Sequence, residues 1–149
     1  ALAFAQAGAD VAIVDIPQKL EESKKIAADL ASKYGVKTMA LSADVSDEKD
    51  VDAMVEAIAK EFGTIDVVHN NAGVGGRAGG DLEIDYADWK RTMDINLNGI
   101  FLVARAAAMG AAAPLSIRRP CRRLLSTAQS PATRSRTLHI APLKRGSCI

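Results

Sequence analysis

The sequence predicts an α/β fold built on a doubly wound parallel sheet, and three observations predict it. Asp10–Ile16 (Asp-Val-Ala-Ile-Val-Asp-Ile) is a nearly continuous β-branched run of the kind buried on both faces. Two more apolar runs, Lys37–Ala43 and Ile65–His69, alternate with segments whose apolar residues recur at helical spacing. A β-α-β-α-β-α order implies right-handed crossovers, and therefore parallel strands.

The elements follow in order. Ala1–Ala9 reads as the back half of a helix, so the beginning of the fold is expected to be missing. Val11–Asp15 is a central strand. From Gln18 to Tyr34, Leu20, Ala27, Leu30, Ala31 and Tyr34 recur at helical spacing, and Gly35 can take the left-handed conformation that ends a helix. Lys37–Ala43 forms the second strand. Ser46 can cap the next helix, with Asp47 and Glu48 set against its positive end. Val51, Met54, Val55, Ile58 and Phe62 form that helix's buried stripe, and Gly63 stops it. Ile65–His69 is the third strand. A Gly-rich loop, Gly73–Gly80, follows, and Tyr86–Gly110 is mostly helical in pattern, with Ile95, Leu97, Ile100, Phe101 and Val103 supplying apolar surface.

Composition divides the chain. With 149 residues and 48% hydrophobic side chains there is material for one core. Residues 1–113 carry eleven Lys/Arg against all eighteen Asp/Glu, whereas residues 114–149 carry eight basic residues and no acid. A domain at 1–113 followed by a basic tail at 114–149 is the expected organisation. The tail's scattered Arg, Ser, Thr and Pro lack a sustained period, so it is expected to have no fixed structure. Cys121 and Cys148, the only cysteines, have no ligand spacing, which argues against a disulfide framework and a metal site. The most apolar run, Gly99–Leu115, is broken by Arg105 and is short for a membrane span. No secretory signal is visible, and a cytoplasmic location is expected.

Several residues sit where a nucleotide would meet such a sheet. Asp15 ends a strand, where a carboxylate accepts hydrogen bonds from ribose hydroxyls and repels an added 2′-phosphate. It also fits a turn before Pro17. Asp44-Val45 closes the second strand, although Asp followed by Ser46 and Asp47 is equally the chemistry of a helix start. Asn70-Asn71-Ala72-Gly73 follows the third strand: adjacent amides can satisfy backbone groups at a sheet edge, and Ala-Gly leaves room for a cofactor. Gly73-Val74-Gly75-Gly76-Arg77-Ala78 matches a G-x-G-x-x-A fingerprint, yet Gly79-Gly80-Asp81 opens no helix, so a phosphate loop is not expected there. Asp94-Ile95-Asn96-Leu97-Asn98-Gly99 places an Asn inside a helical segment, which on its own merely perturbs the helix.

Taken together, Asp15, Asp44-Val45, Asn70–Gly73 and Asp94–Asn96 resemble the short-chain dehydrogenase/reductase family over about residues 1–113. The resemblance implies an incomplete Rossmann-type sheet that lacks its first strand and its later strands. It implies NAD binding, with NADP less favoured because of Asp15, through Asp15, Asp44, Val45, Asn71, Ala72 and Gly73. It implies a catalytic role for Asn96, whose family counterpart joins Ser, Tyr and Lys and holds a water in a distorted helix. The substrate class it implies is a small secondary alcohol or ketone, of the polyol or sugar kind, handled by a parent enzyme that forms homo-oligomers.

Tyr34 and Tyr86, the only tyrosines, both precede Asn96, and neither is read as the catalytic residue. His69 and His139 offer no replacement. The chain is therefore expected to lack its acid/base and to be inactive. Read two bases out of frame with suitably chosen codons, the tail's His139–Ile149 spells Tyr-Cys-Thr-Ser-Lys-Ala-Gly-Val-Met-His, which contains the family's Tyr-x-x-x-Lys. A frameshifted tail is thus expected. The alternative is a non-catalytic nucleotide-binding remnant whose basic tail contacts nucleic acid or another acidic partner, a reading weakened by the absence of interleaved aromatics.

Overall fold

Strand β1, Val11–Asp15, is the centre of the molecule, and its first four residues are all at most 1% exposed. The computed structural model describes residues 1–75, 83–110 and 138–141, the last for the backbone only. A short helix α1 (Leu2–Gln6) precedes β1. After a single 3₁₀ turn at Pro17–Lys19, helix α2 (Leu20–Tyr34) returns along the sheet. It ends at Gly35, whose φ of 64° lets its N–H close back onto the Ala31 carbonyl at 2.9 Å. Strand β2 (Thr38–Ser42) then pairs in parallel with β1, in register from Val11 with Thr38 to Asp15 with Ser42. Two bonds pin this return: the Lys37 N–H donates to Asp10 Oδ1 at 2.8 Å, and the Thr38 hydroxyl donates to the Ala27 carbonyl at 2.9 Å.

Helix α3 (Glu48–Phe62) is capped by Asp47, whose Oδ1 accepts from the N–H groups of Lys49 and Asp50 at 2.8 and 3.1 Å. This corrects the expectation for Ser46. Ser46 instead turns its hydroxyl to Asp44, leaving the cap to the next residue. Strand β3 is shorter than its apolar run, covering Val67–His69. Helix α4 (Tyr86–Met93), a π-helical turn at Asp94–Asn98 and helix α5 (Gly99–Gly110) form one continuous helical stretch.

Helices cover both faces of the sheet. On one side Val11 and Ile13 pack with Ala5, Ala27, Leu30 and Val36 beneath α1 and α2. On the other, Ala12 and Val14 pack with Val51, Met54, Val55, Ile58 and Val103 beneath α3 and α5. The alternation along β1 divides its side chains between the two layers, as period-two geometry requires. Leu97 and Phe101, expected as part of the apolar surface of their helix, stand 57% and 63% exposed, while Val103, Ala106 and Ala107 are buried.

The sheet order is β2-β1-β4-β3, where β4 is Leu138–Ala141. β4 runs antiparallel to both β1 and β3, pairing Ala12–Val14 on one side and Val67–His69 on the other. β1, β2 and β3 therefore share one direction, as expected for a doubly wound sheet, and the sheet as a whole is mixed. The sequence leads one to expect β1 and β3 either to close up or to leave a gap; in the structure a segment of the basic tail fills the place between them. The tail's expected lack of structure does not hold at these four residues, because two strands with covered faces offer unpaired main-chain groups that an extended segment satisfies. The other tail residues, including Cys121 and Cys148, and the loop residues Gly76–Asp81 of the glycine fingerprint lie outside the described residues.

Candidate active site at the carboxyl edge of the sheet

In an open α/β sheet, ligands bind outside the carboxyl ends of the parallel strands, where successive connections depart to opposite sides. Asp15, Asp44 and Asn71 sit at or just beyond those ends in β1, β2 and β3 respectively. Asp15 is half-buried and its Oδ1 accepts from the Ile16 N–H at 2.8 Å. Asp44 is drawn into the turn that begins α3: its Oδ1 accepts from the Ser46 N–H at 2.9 Å and from the Ser46 hydroxyl at 2.6 Å. Its own N–H donates to Asp50 Oδ2 at 3.2 Å. Val45 is buried against Gly99.

The structure brings the third-strand motif and the helical Asn into direct contact. The Val74 N–H donates to Asn96 Oδ1 at 2.7 Å, and Asn96 Nδ2 donates to the Val74 carbonyl at 2.8 Å. A Cβ on Gly73 would lie 3.1 Å from the same Oδ1, so the residue must be small for this clamp to close. Asn70 Nδ2 donates to the Ile100 carbonyl at 2.9 Å, tying the end of β3 to α5. The amide pair thus fastens the loop after β3 to the helix beside it, with Asn71, Ala72 and Gly73 held between.

Asn96 lies in the middle of the π turn. The Gly99 N–H reaches back to the Asp94 carbonyl, five residues earlier, and this widened turn carries one residue more than an α-helical one. The distortion expected from the Asn motif is therefore present. Asp94, which opens the turn, has its carboxyl held below the usual carboxylate range, first by the Lys90 ammonium bonded to it at 2.7 Å and also by Asn98 Nδ2. Lys90 is correspondingly raised by that same hydrogen bond.

Two features escape a reading of the sequence by motif, and a third is a motif in plain view that the sequence reading passes over. The Val74 main chain as Asn96's partner has no side-chain signature. Gly99 packs so closely that a Cβ there would lie 2.9 Å from Val45 Cγ2 and 3.1 Å from the Val45 carbonyl, and its only signal is a Gly inside an apolar helical run. Finally, Tyr86 and Lys90 do have Tyr-x-x-x-Lys spacing. In the structure Tyr86 is 75% exposed and stacked on Trp89 with ring centroids 6.0 Å apart, while Lys90 is bonded to Asp94. That pair is engaged in the outer face of α4, and it precedes Asn96. Among the described residues no group of His, Cys, Asp or Glu could hold a metal ion, and no helix is long and apolar enough to cross a membrane.

These features agree with what the chain resembles. A family model described as enoyl-(acyl carrier protein) reductase matches residues 1–117. Sorbose reductase of Candida albicans is 44% identical over 103 residues, covering 68% of this chain and 36% of that protein. D-threitol dehydrogenase of Mycolicibacterium smegmatis is 39% identical over 106 residues, covering 71% and 39%. Among solved structures, a 3-oxoacyl-[acyl-carrier protein] reductase from Brucella melitensis superposes with a TM-score of 0.67 at 30% identity, over 80% of this chain and 48% of that one. NAD+-bound xylitol dehydrogenase superposes with a TM-score of 0.65 at 29% identity, over 73% and 42%. The chain spans less than half the length of each of these relatives. With the Asn-Asn-Ala-Gly loop clamped to an Asn in a π turn on a three-stranded parallel framework, and with this set of relatives, the chain belongs to the short-chain dehydrogenase/reductase family.

Proposed function

We propose that residues 1–113 are the nicotinamide-binding part of an oxidoreductase that moves a hydride between NAD(H) and a small secondary alcohol or ketone of the polyol or sugar kind. The carrying observation is the Asn96–Val74 clamp, which fixes Asn71, Ala72 and Gly73 at the same sheet edge as the Asp15 carboxylate. The residues fit the group in part. A carboxylate at the end of β1 suits ribose hydroxyls and disfavours a 2′-phosphate, which supports NAD over NADP. Ala72 and Gly73 leave room for the nicotinamide-side ribose, and Asp44 with the Val45 backbone suits the adenine. The bound nicotinamide supplies the hydride acceptor. Asn96, with both ends of its carboxamide committed to Val74, acts by holding the widened turn and the cofactor loop in place. The parent enzyme is further proposed to be a cytoplasmic homo-oligomer, for which exposed Leu97 and Phe101 give apolar contact surface.

The polypeptide itself is proposed to be inactive. A proton must leave the substrate hydroxyl as hydride leaves carbon, and no tyrosine follows Asn96 to take it. The tail at 114–149 is proposed to be out of frame. Its charge, eight basic residues and no acid, supports one other reading, a nucleotide-binding remnant that contacts an acidic polymer.

Isothermal titration of the purified chain with NAD and NADP, alongside assays on xylitol, sorbitol and sorbose, tests these readings. Expected are weak binding that favours NAD, a preference reduced in Asp15→Ala, and no turnover above a no-protein control. Turnover lost in Asn96→Ala would refute the inactivity. A preference for NADP would refute the role of Asp15. Salt-sensitive capture of a single-stranded oligonucleotide, with no binding of either nicotinamide, would favour the remnant.

A further inference from the structure

The helical stretch from α4 to α5 meets the carboxyl edge of the sheet at two points, three residues apart in sequence. Asn96 bonds the Val74 main chain in the loop after β3. Gly99, which opens α5, abuts Val45 in the segment after β2. A Cβ on Gly99 would lie 2.9 Å from Val45 Cγ2, 3.1 Å from the Val45 carbonyl oxygen and 3.3 Å from Val45 Cβ. One of those neighbours is backbone, so turning a side chain cannot make the room, and in a close-packed interior something larger must move.

How each side is held decides which one moves. The helix is anchored: Val103, Ala106 and Ala107 are buried in the layer under α3 and α5, and the Ile100 carbonyl, one residue past Gly99, accepts from Asn70 Nδ2 at 2.9 Å. The turn at residues 44–47 is held by exposed bonds. The Asp44 N–H donates to Asp50 Oδ2 at 3.2 Å, and the Ser46 N–H and hydroxyl donate to Asp44 Oδ1 at 2.9 and 2.6 Å. A methyl on Gly99 therefore displaces the Val45–Ser46 peptide rather than the helix, and the two Ser46 bonds carry that displacement to the Asp44 carboxylate.

We propose that Gly99 is a positioning residue for the adenine half of the cofactor: its missing Cβ sets the place of Asp44 and of the Val45 backbone, as Asn96 sets the place of Asn71, Ala72 and Gly73. The inference rests on the reading above that Asp44 and the Val45 backbone meet the adenine. Residues 96–99 then act as a spacer, holding the segments for the two halves of a dinucleotide at one fixed separation. Gly99 acts only through Val45.

The test titrates the full chain with the two halves separately, 5′-AMP and nicotinamide mononucleotide, following backbone amide shifts by NMR. In Gly99→Ala the affinity for 5′-AMP should fall about tenfold, roughly the worth of one hydrogen bond, while that for nicotinamide mononucleotide changes by less than about twofold. A merely structural role would lower both alike, through the folded fraction. Gly110→Ala is the control for overpacking: at the other end of α5, its Cβ would lie 2.7 Å from Val55 Cγ1. It should leave 5′-AMP affinity unchanged. Where Gly99→Ala folds poorly, Gly99→Ala/Val45→Ala removes the Cγ2 contact and keeps the carbonyl one, so stability returns in part while 5′-AMP binding stays weak. Native-like 5′-AMP binding by either Gly99 variant, an equal loss for both ligands, or a loss in Gly110→Ala would overturn the proposal alone. Absence of 5′-AMP binding by the native chain would overturn it together with the assignment of Asp44 and Val45 to the adenine.

Discussion

Asn96 holds the Val74 peptide from both ends, accepting from its N–H at 2.7 Å and donating to its carbonyl at 2.8 Å. One side chain thereby satisfies two main-chain groups of a loop that leaves the sheet, and it does so from a turn of helix widened by one residue. An isolated helical Asn would bond its own backbone instead. The clamp makes the loop after β3 and the stretch from α4 to α5 a single mechanical unit.

Removing the clamp should therefore loosen a loop rather than the core. Asn96→Ala is expected to lower unfolding free energy by about 1–3 kcal/mol, two hydrogen bonds at roughly 0.5–1.5 kcal/mol each. Urea titration gives this value. Hydrogen exchange should show the largest loss of protection at Val74, with Ala12–Val14 little changed.

Gly99 packs closely between α5 and the segment after β2. Gly99→Ala places a methyl 2.9 Å from Val45 Cγ2 and 3.1 Å from the Val45 carbonyl. It should destabilise by about 1–3 kcal/mol through overpacking. Adding Val45→Ala should recover only part of the loss, because the contact with the carbonyl remains. A double-mutant cycle by thermal or urea unfolding measures the coupling.

The cap of α3 separates two neighbouring residues. Asp47→Ala removes the acceptor for the Lys49 and Asp50 N–H groups and should cost about 0.5–2 kcal/mol. Ser46→Ala loses only the exposed bond to Asp44 and should cost less. Reversal of that order in denaturant titrations would place the cap at Ser46.

The Lys90–Asp94 pair predicts a pH response of definite sign. Asp94 titrates below its ordinary value when folded, so its contribution to stability is present above the ordinary carboxylate pKa and is lost as pH falls through the folded one. Lys90→Met should raise the Asp94 pKa toward the ordinary range, as read by carboxyl-carbon NMR. The effect on overall stability should be small, because the pair is exposed.

Local chemistry was legible in the sequence where neighbouring residues decide it. β1 came out at Val11–Asp15, α2 ended at Gly35 and α3 at Gly63, because β-branched runs and left-handed glycines act within a few residues of themselves. The parallel pairing of β1 with β2 followed from the crossover between them. The family was readable for the same reason: its Asn-Asn-Ala-Gly and Asp-Ile-Asn segments are short and contiguous. The placement of the cap was not, since Ser46 and Asp47 are both good capping residues and only the turn at Asp44 chooses between them.

What the tertiary structure decided depends on partners far along the chain. Nothing in Asp94–Gly99 names Val74, and no periodicity in the tail marks Leu138–Ala141 as a strand; a four-residue segment becomes one when two parallel strands present main-chain donors and acceptors to it. The sequence alone determined which segments are helix and strand over residues 1–75 and 83–110, because propensity, capping and burial period are local. Only the fold determined that Asn96 meets Val74 and that β4 divides β1 from β3, because the free energy of satisfying a buried backbone group belongs to whichever segment reaches it.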